Sequence, residues 1–215
     1  MNKEIKIKKH EVAHHFDNSE QEFNSAKLGM WAFLGQEILF FSGLFVAYII
    51  FRMMHPEMFI YASKHLDWKM GALNTVILIL SSFTMVMAVR SAQVNKLKQC
   101  VNYLIATFSF AGMFMVVKGF EYASKISHGY LPAKFFNAES AHESLHIFFG
   151  IYFTMTGLHG LHVLVGMGLI IWLIIKAKKG HFYEDYYTPL EMVGLYWHLV
   201  DLIWIFLFPL LYLIG

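Results

Sequence analysis

The 215-residue chain is strongly apolar, with 57% hydrophobic residues, 15% charged residues and a mean hydropathy of +0.49. Soluble domains carry about 25% charged residues, so this composition excludes an ordinary soluble domain and favours the bilayer as solvent. The formal net charge of +2 predicts no nucleic-acid partner, and because Cys100 is the only cysteine, an intrachain disulfide and a cysteine-built metal site are excluded.

Five apolar runs follow a charged N-terminal arm, residues 1–26, in which no signal peptide is recognised and which we expect to be mobile or to lie on the membrane surface. About 20 apolar residues are enough to cross a bilayer. The runs cover approximately residues 28–51, 70–89, 100–117, 144–175 and 192–214. The fourth run is longer than a bilayer is thick, so its helix must tilt or project into water.

The second run also carries a stripe of small polar side chains. Such residues allow helices to approach closely and to hydrogen-bond across their contact. They are Asn74, Thr75, Ser81, Ser82 and Thr84.

We find no internal repeat and no soluble domain. The sequence therefore predicts an all-α fold, an integral membrane bundle of five transmembrane helices within residues 27–215.

The distribution of Lys and Arg predicts how the chain is oriented. With five spans, the arm, the second loop and the fourth loop share one side of the membrane, and they hold 11 of the 17 Lys and Arg residues. The opposite side holds the other six. Because cytoplasmic segments carry the excess of positive charge, we predict a cytoplasmic N-terminus and a C-terminus on the outer side.

Glu37 is the most unusual residue of the first run, since it lies about 14 Å along that helix. An ionised carboxylate is costly at that depth, so it must either pair or stay protonated. Two interpretations stay open: a carboxyl that exchanges protons or gates a path, and a neutral acid that hydrogen-bonds a neighbouring helix.

Two pairs of polar residues lie three positions apart and therefore share a helix face. His198 and Asp201 could shuttle protons, bind a metal or anchor the fifth helix to another subunit, and we favour the structural role. His159 and His162 could ligate haem or copper, but a metal site needs ligands from other helices, and the glycines beside them favour close helix packing. Glu121 lies near the membrane interface at the end of the third run.

The first two runs resemble helices of a known family, cytochrome c oxidase subunit III. Residues 27–45, KLGMWAFLGQEILFFSGLF, resemble the first helix shared by that family. Residues 73–75, LNT, together with residues 81–84, SSFT, resemble its next helix.

Three later segments follow in the same family order. Residues 119–122, GFEY, resemble its Gln-x-x-Glu-Tyr stretch, with Lys118 where Gln is common. Residues 156–163, TGLHGLHV, match the signature Thr-Gly-x-His-Gly-x-His. Residues 196–204, YWHLVDLIW, match Tyr-Trp-His-Phe-Val-Asp-x-x-Trp, with Leu199 in place of Phe.

The resemblance implies a non-redox subunit of a haem–copper terminal oxidase, which couples electron transport to oxygen with proton pumping in a bacterial cytoplasmic membrane. It implies that this chain is not catalytic and binds no haem or copper, because these belong to subunits I and II. It also implies packing on subunit I, bound phospholipid, support of proton uptake and protection from turnover inactivation. Glu37 occupies the position of the carbodiimide-reactive glutamate of the family. The chain resembles the short five-span form, which lacks the first two helices of seven-span members.

Three other functions stay open at this stage. Subunit III of a quinol oxidase shares the same motifs, and the accessory protein of nitric oxide reductase is related. A small proton-coupled transporter that uses Glu37 and the histidines belongs to a different class. Transporters of that class usually show inverted repeats and interrupted helices, and neither is clear in this sequence.

Overall fold

The computed structural model describes residues 10–131 and 145–213. The predicted arm, the start of the fourth run and the end of the fifth run therefore lie partly outside the described residues. Within the described ranges the chain forms six α-helices. They are α1 (Ser19–Met54), α2 (Pro56–Ser63), α3 (Trp68–Gln93), α4 (Leu97–Ser127), α5 (Leu145–Lys178) and α6 (Thr188–Phe208), and a π-helical turn (Pro209–Leu213) continues α6.

Five of these helices are long and apolar enough to cross a membrane: α1, α3, α4, α5 and α6 with its π turn. The predicted all-α membrane bundle of five spans is therefore confirmed. The short helix α2 begins with Pro56, which is favourable at a first helical position because its missing N–H would have no partner there.

Helix α1 begins inside the segment predicted as an arm. The side chain of Asn18 accepts a hydrogen bond of 2.8 Å from the backbone N–H of Gln21, which caps the helix, and Glu20 and Glu22 in the first turn complement the helix dipole. These polar turns extend the helix ahead of the apolar run. The boundary predicted at residue 27 is therefore not a boundary between structural elements.

Four helices form a closed ring, in which α3 packs on α4, α4 on α5, α5 on α6 and α6 on α3. Helix α1 lies outside this ring against α6. Its buried residues are Leu34, Phe41 and Tyr48, which are seven positions apart and form one narrow stripe. The rest of α1 exposes large apolar side chains, such as Leu39 and Met53, to the membrane.

Four of the five small polar residues of α3 hydrogen-bond to neighbouring helices, whereas the buried Asn74 side chain has no hydrogen-bond partner among the described residues. The indole N–H groups of Trp197 and Trp204, both fully buried, donate to Ser81 Oγ over 3.0 Å and to Thr75 Oγ1 over 3.1 Å. The Oγ1 atoms of Thr84 and Thr107 lie 2.8 Å apart between α3 and α4. These side chains thus link α3 to α4 and to α6 across helix contacts.

The first described residues of the chain, around His10, contact the loop between α5 and α6. The backbone N–H of His10 donates to Tyr183 Oη over 2.9 Å, and its ring stacks on Tyr186 with centroids 3.7 Å apart. His10 Nε2 also lies 2.9 Å from Glu22 Oε2. Burial raises the pKa of the Tyr186 hydroxyl, and the Glu22 and Tyr183 side chains add to that effect, so this ring is neutral at physiological pH. The arm is therefore held to this surface near residue 10.

Candidate functional site

Glu37 joins the outer helix α1 to α5 in the ring. Its Oε2 atom lies 3.0 Å from His162 Nε2, and the two side chains are 12% and 18% exposed. The ring of Phe41 packs edge-on against the imidazole, with centroids 5.1 Å apart. The Tyr196 hydroxyl on α6 donates to the backbone carbonyl of His162 over 2.9 Å, so three helices meet here.

The hydrogen bonds of His162 limit the charge that this pair can carry. Its Nδ1 atom lies 2.8 Å from the carbonyl oxygen of Leu158, which can only accept, so Nδ1 carries a proton. The hydrogen bond between Nε2 and Glu37 then contains one proton, placed on either the carboxyl or the imidazole. In both cases the pair has no net charge, which makes it tolerable at membrane depth.

An apolar cavity of about 380 Å³ adjoins this pair between α1, α5 and α6. Six of the residues that line it are Met30, Phe33, Leu161, His162, Val193 and Tyr196. A cavity of this volume with apolar walls suits a hydrocarbon chain.

A second cluster centres on Lys118 and Glu121 of α4, which are fully buried and three residues apart. Lys118 Nζ donates to Glu121 Oε2 over 3.0 Å, to Tyr152 Oη over 3.1 Å and to Tyr212 Oη over 2.6 Å. Both tyrosine hydroxyls donate to Glu121 Oε1, Tyr152 over 2.8 Å and Tyr212 over 2.6 Å. The cluster therefore ties α4 to α5 and to the π turn.

Aromatic rings also surround the Lys118 ammonium group. Its Nζ atom lies 4.9–5.7 Å from the centroids of four rings, those of Tyr122, Tyr152, Trp204 and Tyr212. Ring faces attract a cation, and the attraction grows when water is excluded. The carboxylate and the rings together offset the cost of burying this charge.

A third polar cluster lies between α3 and α6. Ser82 Oγ lies 2.7 Å from His198 Nδ1, so the partner of His198 is on another helix. Asp201, one turn further along α6, is 3% exposed, and the Ser82 side chain is a hydrogen-bonding neighbour of its carboxyl group, although the two make no contact of standard hydrogen-bond geometry. His198 and Asp201 therefore do not satisfy each other, although they share a helix face.

His159 and His162 occupy different environments despite their spacing. His159 is fully buried between the rings of Phe114 and Trp204, at centroid distances of 5.6 and 5.2 Å. Neither of its ring nitrogens has a hydrogen-bond partner in residues 10–131 and 145–213. Within these ranges no three His, Cys, Asp or Glu side chains are grouped so that they could hold a metal ion.

Comparison with known proteins decides the family. The family model described as Cytochrome c oxidase subunit III matches residues 7–215. The chain belongs to the cytochrome c oxidase subunit III family. It is 31% identical over 199 residues to cytochrome c oxidase subunit 3 of Thermostichus vulcanus, which covers 92% of each chain. It is 28% identical over 213 residues to quinol oxidase subunit 3 of Bacillus subtilis, a match that covers 94% of this chain and 96% of the relative.

The signature segments of the subunit III family contact one another in this bundle. Trp197 and Trp204 belong to residues 196–204, and they donate hydrogen bonds to Ser81 and Thr75 of the two α3 segments. His162 of the segment 156–163 pairs with Glu37 of the first segment. The resemblance seen in the sequence thus corresponds to one set of helix contacts in this subunit III chain.

Several partners were not singled out from the sequence of this subunit III chain. Glu121 is predicted near the membrane interface at the end of the third run, and the structure buries it together with Lys118, Tyr152 and Tyr212. The spacing of three residues between Lys118 and Glu121 was a usable signal for a pair on one helix face. The tyrosines, like Ser82 beside His198, lie far away in the sequence, so no local pattern identifies them.

Proposed function

We propose that this chain is the non-redox subunit III of a haem–copper terminal oxidase in aerobic respiration. The family match over residues 7–215 carries this proposal, together with a bundle in which the family segments contact one another. In this proposal the electron-transfer chemistry and the haem and copper belong to partner subunits I and II. This chain packs mainly on subunit I and stabilises the complex.

The proposed contribution to proton uptake rests on Glu37. The pair of Glu37 and His162 has no net charge, and one proton can move between Glu37 Oε2 and His162 Nε2. A group of this kind can take up or release a proton during turnover without a permanent buried charge. Phospholipid is proposed in the apolar cavity beside this pair, because its volume and its walls suit an acyl chain.

The proposed location is a bacterial cytoplasmic membrane, with the N-terminus in the cytoplasm and the C-terminus outside. The five candidate spanning helices support termini on opposite sides of the membrane, and the excess of Lys and Arg on one side supports assigning that side to the cytoplasm.

A quinol oxidase is the second candidate, because the relatives include quinol oxidase subunit 3 of two Bacillus species at 28% identity. The two candidates differ in the electron donor of the complex, which other subunits bind. This chain has the same packing role in both.

The test is to purify the complex through a tag on this chain in mild detergent and to record its optical spectrum and subunit composition. Haem bands together with a large multi-span partner support the oxidase proposal. Oxidation of added reduced cytochrome c, or of added quinol, then identifies the donor. A colourless chain without a partner would overturn the proposal in favour of a stand-alone transporter.

A further inference from the structure

Two polar side chains in the interior of the four-helix ring have no hydrogen-bond partner. Asn74 on α3 and His159 on α5 are both fully buried. Neither the amide of Asn74 nor the two ring nitrogens of His159 hydrogen-bond to any residue within 10–131 and 145–213. Next to Asn74, by contrast, Thr75 Oγ1 accepts a hydrogen bond of 3.1 Å from Trp204 Nε1. Because buried polar groups are usually hydrogen-bonded, the two unpartnered side chains need an explanation of their own.

The contact between Phe114 of α4 and Trp204 of α6 relates these two side chains in space. The two rings meet edge-on with centroids 5.0 Å apart, and the His159 imidazole lies 5.6 Å from Phe114 and 5.2 Å from Trp204. Asn74 directly precedes Thr75, the acceptor of the Trp204 indole. Helices α3 and α5 each pack on α4 and on α6. Asn74 and His159 therefore belong to the same level of the ring and come from opposite sides of it.

The chemistry of the two side chains defines what would satisfy them. A neutral imidazole offers one N–H donor and one acceptor nitrogen, and an asparagine amide offers two donor hydrogens and an acceptor oxygen. Leaving such groups unpartnered in a low-dielectric interior costs free energy, because the hydrogen bonds that they make to water before folding are not replaced. A group that both donates and accepts hydrogen bonds therefore suits this level of the ring.

The complete burial of Asn74 and His159 restricts that group to a very small one. An acyl chain is too large and has no hydrogen-bonding group. A metal ion is not supported, because no three His, Cys, Asp or Glu side chains of the described ranges are grouped to hold one. Water both donates and accepts, and buried water molecules typically make two to four hydrogen bonds to polar groups that otherwise lack a partner.

We propose that ordered water is bound inside the ring at this level and hydrogen-bonds to His159 and Asn74. The water joins the family segments 73–75 and 156–163, because Asn74 and His159 make no direct hydrogen bond to each other. His159 is thereby a water-binding residue and not a metal ligand. The proposal does not depend on the oxidase function, since every group that it uses belongs to this chain.

The first test is X-ray radiolytic labelling of the tagged chain, purified with any partner that accompanies it. Radiolysis converts water into hydroxyl radicals, which oxidise the side chains beside that water before they can diffuse away. Phe114 and Phe148 form a matched pair, because they are 0% and 1% exposed. Phe148 packs against the rings of Phe59 and Phe149 and lies in the first turn of α5, nearer to bulk water than Phe114.

We expect Phe114 to be oxidised several-fold faster than Phe148, because the bound water lies at the level of Phe114. Peptide mass analysis after a series of exposure times measures both rates. Equal labelling of the two rings, or faster labelling of Phe148, would show that the interior of the ring is dry and would overturn the proposal.

The second test compares two substitutions at His159. Glutamine and leucine have similar helix propensities, but only glutamine can hydrogen-bond to water. We expect the thermal midpoint of His159→Gln in detergent to exceed that of His159→Leu by a few degrees, and labelling of Phe114 to fall only in His159→Leu. In a dry interior the order reverses, because leucine removes polar atoms that lack a partner whereas glutamine retains them, and this result would refute the proposal. If neither variant folds, the comparison of Phe114 with Phe148 in the wild-type chain still decides.

Discussion

Glu37 and Lys118 are ionisable side chains within spanning helices. Each one contacts a side chain that can carry the opposite charge. Glu37 shares one proton with His162 from another helix. Lys118 faces the carboxylate of Glu121, and two tyrosine hydroxyls donate to that carboxylate. In the pair of Glu37 and His162, both side chains become neutral when one proton moves from the imidazole to the carboxylate along their hydrogen bond. The pair of Lys118 and Glu121 is held by five hydrogen bonds among four residues, which favours a fixed structural role.

We expect Glu37→Gln to abolish labelling by a hydrophobic carbodiimide while the complex still assembles. The glutamine amide can donate to His162 Nε2, so the contact between α1 and α5 persists, but no carboxyl remains to react. Labelling of the purified chain, followed by peptide mass analysis, measures this. Oxygen reduction is expected to fall by less than twofold at first and to decay faster during prolonged turnover.

His162→Gln serves as the control for that experiment. It retains a hydrogen-bonding side chain near Glu37 and leaves the carboxyl available, so labelling should persist at the wild-type level or above it. Continued labelling of Glu37→Gln would show that another carboxyl reacts and would contradict the role proposed for Glu37.

In the buried cluster we expect Glu121→Gln to destabilise the chain more than Lys118→Gln. Glu121→Gln leaves the Lys118 ammonium group buried without a carboxylate, and breaking one side of a buried ion pair costs on the order of 3 kcal/mol or more. Lys118→Gln leaves Glu121 with two tyrosine donors and supplies an amide N–H, so its cost should be about 1 kcal/mol.

The midpoint of thermal unfolding in detergent measures these differences. Tyr212→Phe is the reference, because it removes one hydroxyl from the cluster and leaves both charges in place. A larger loss in Lys118→Gln than in Glu121→Gln would contradict the idea that the ammonium group depends on the carboxylate.

At the scale of one helix, the glycines of α5 are not equivalent. A Cβ atom at Gly166 would lie 2.6 Å from Trp197 Cζ3, whereas a Cβ atom at Gly168 would meet no atom within 4 Å. Only the first glycine therefore permits the close approach of α5 and α6. The sequence predicted close packing beside the histidines but did not distinguish one glycine from the other.

We expect Gly166→Ala to lower stability by about 1–3 kcal/mol, because the methyl group must displace the fully buried Trp197 ring from its hydrogen bond with Ser81. Gly168→Ala on the same helix is the matched control, and it should be neutral or slightly stabilising because alanine favours helix. Thermal unfolding of both variants decides the point. Equal stability of the two would show that the ring moves freely and that this contact does not limit helix packing.

The spans could be predicted from the sequence because bilayer thickness fixes how long an apolar run must be. The start of α1 could not, because Asn18 caps turns that are polar and extend beyond the apolar run. Which residues become partners in the site depends on the rotation of each helix about its axis and on the register between neighbouring helices. Glu37 and His162 are 125 residues apart, and Lys118 and Tyr212 are 94 apart, so neither contact leaves a local pattern.

At the scale of the whole molecule, one ring of four helices is well packed and α1 is attached to its outside. A stripe of Leu34, Phe41 and Tyr48 holds α1. Three polar contacts add to it: Glu37 with His162, Lys27 with Glu191, and the Tyr48 hydroxyl, which donates to the backbone carbonyl of Leu210. Large apolar side chains on the rest of α1 face the membrane. Polar contacts at three levels of α1 therefore supplement a narrow apolar seam.

The orientation of the whole chain can be tested with single added cysteines, since the native Cys100 is fully buried and should give little background. Lys96 precedes α4 and His128 follows it, and both are exposed. If the N-terminus is cytoplasmic, a membrane-impermeant maleimide applied to intact cells labels His128→Cys but labels Lys96→Cys only after lysis. The reverse pattern would invert every span and contradict the charge rule. Such an inversion would place the larger number of Lys and Arg residues outside, against the bias that orients membrane proteins.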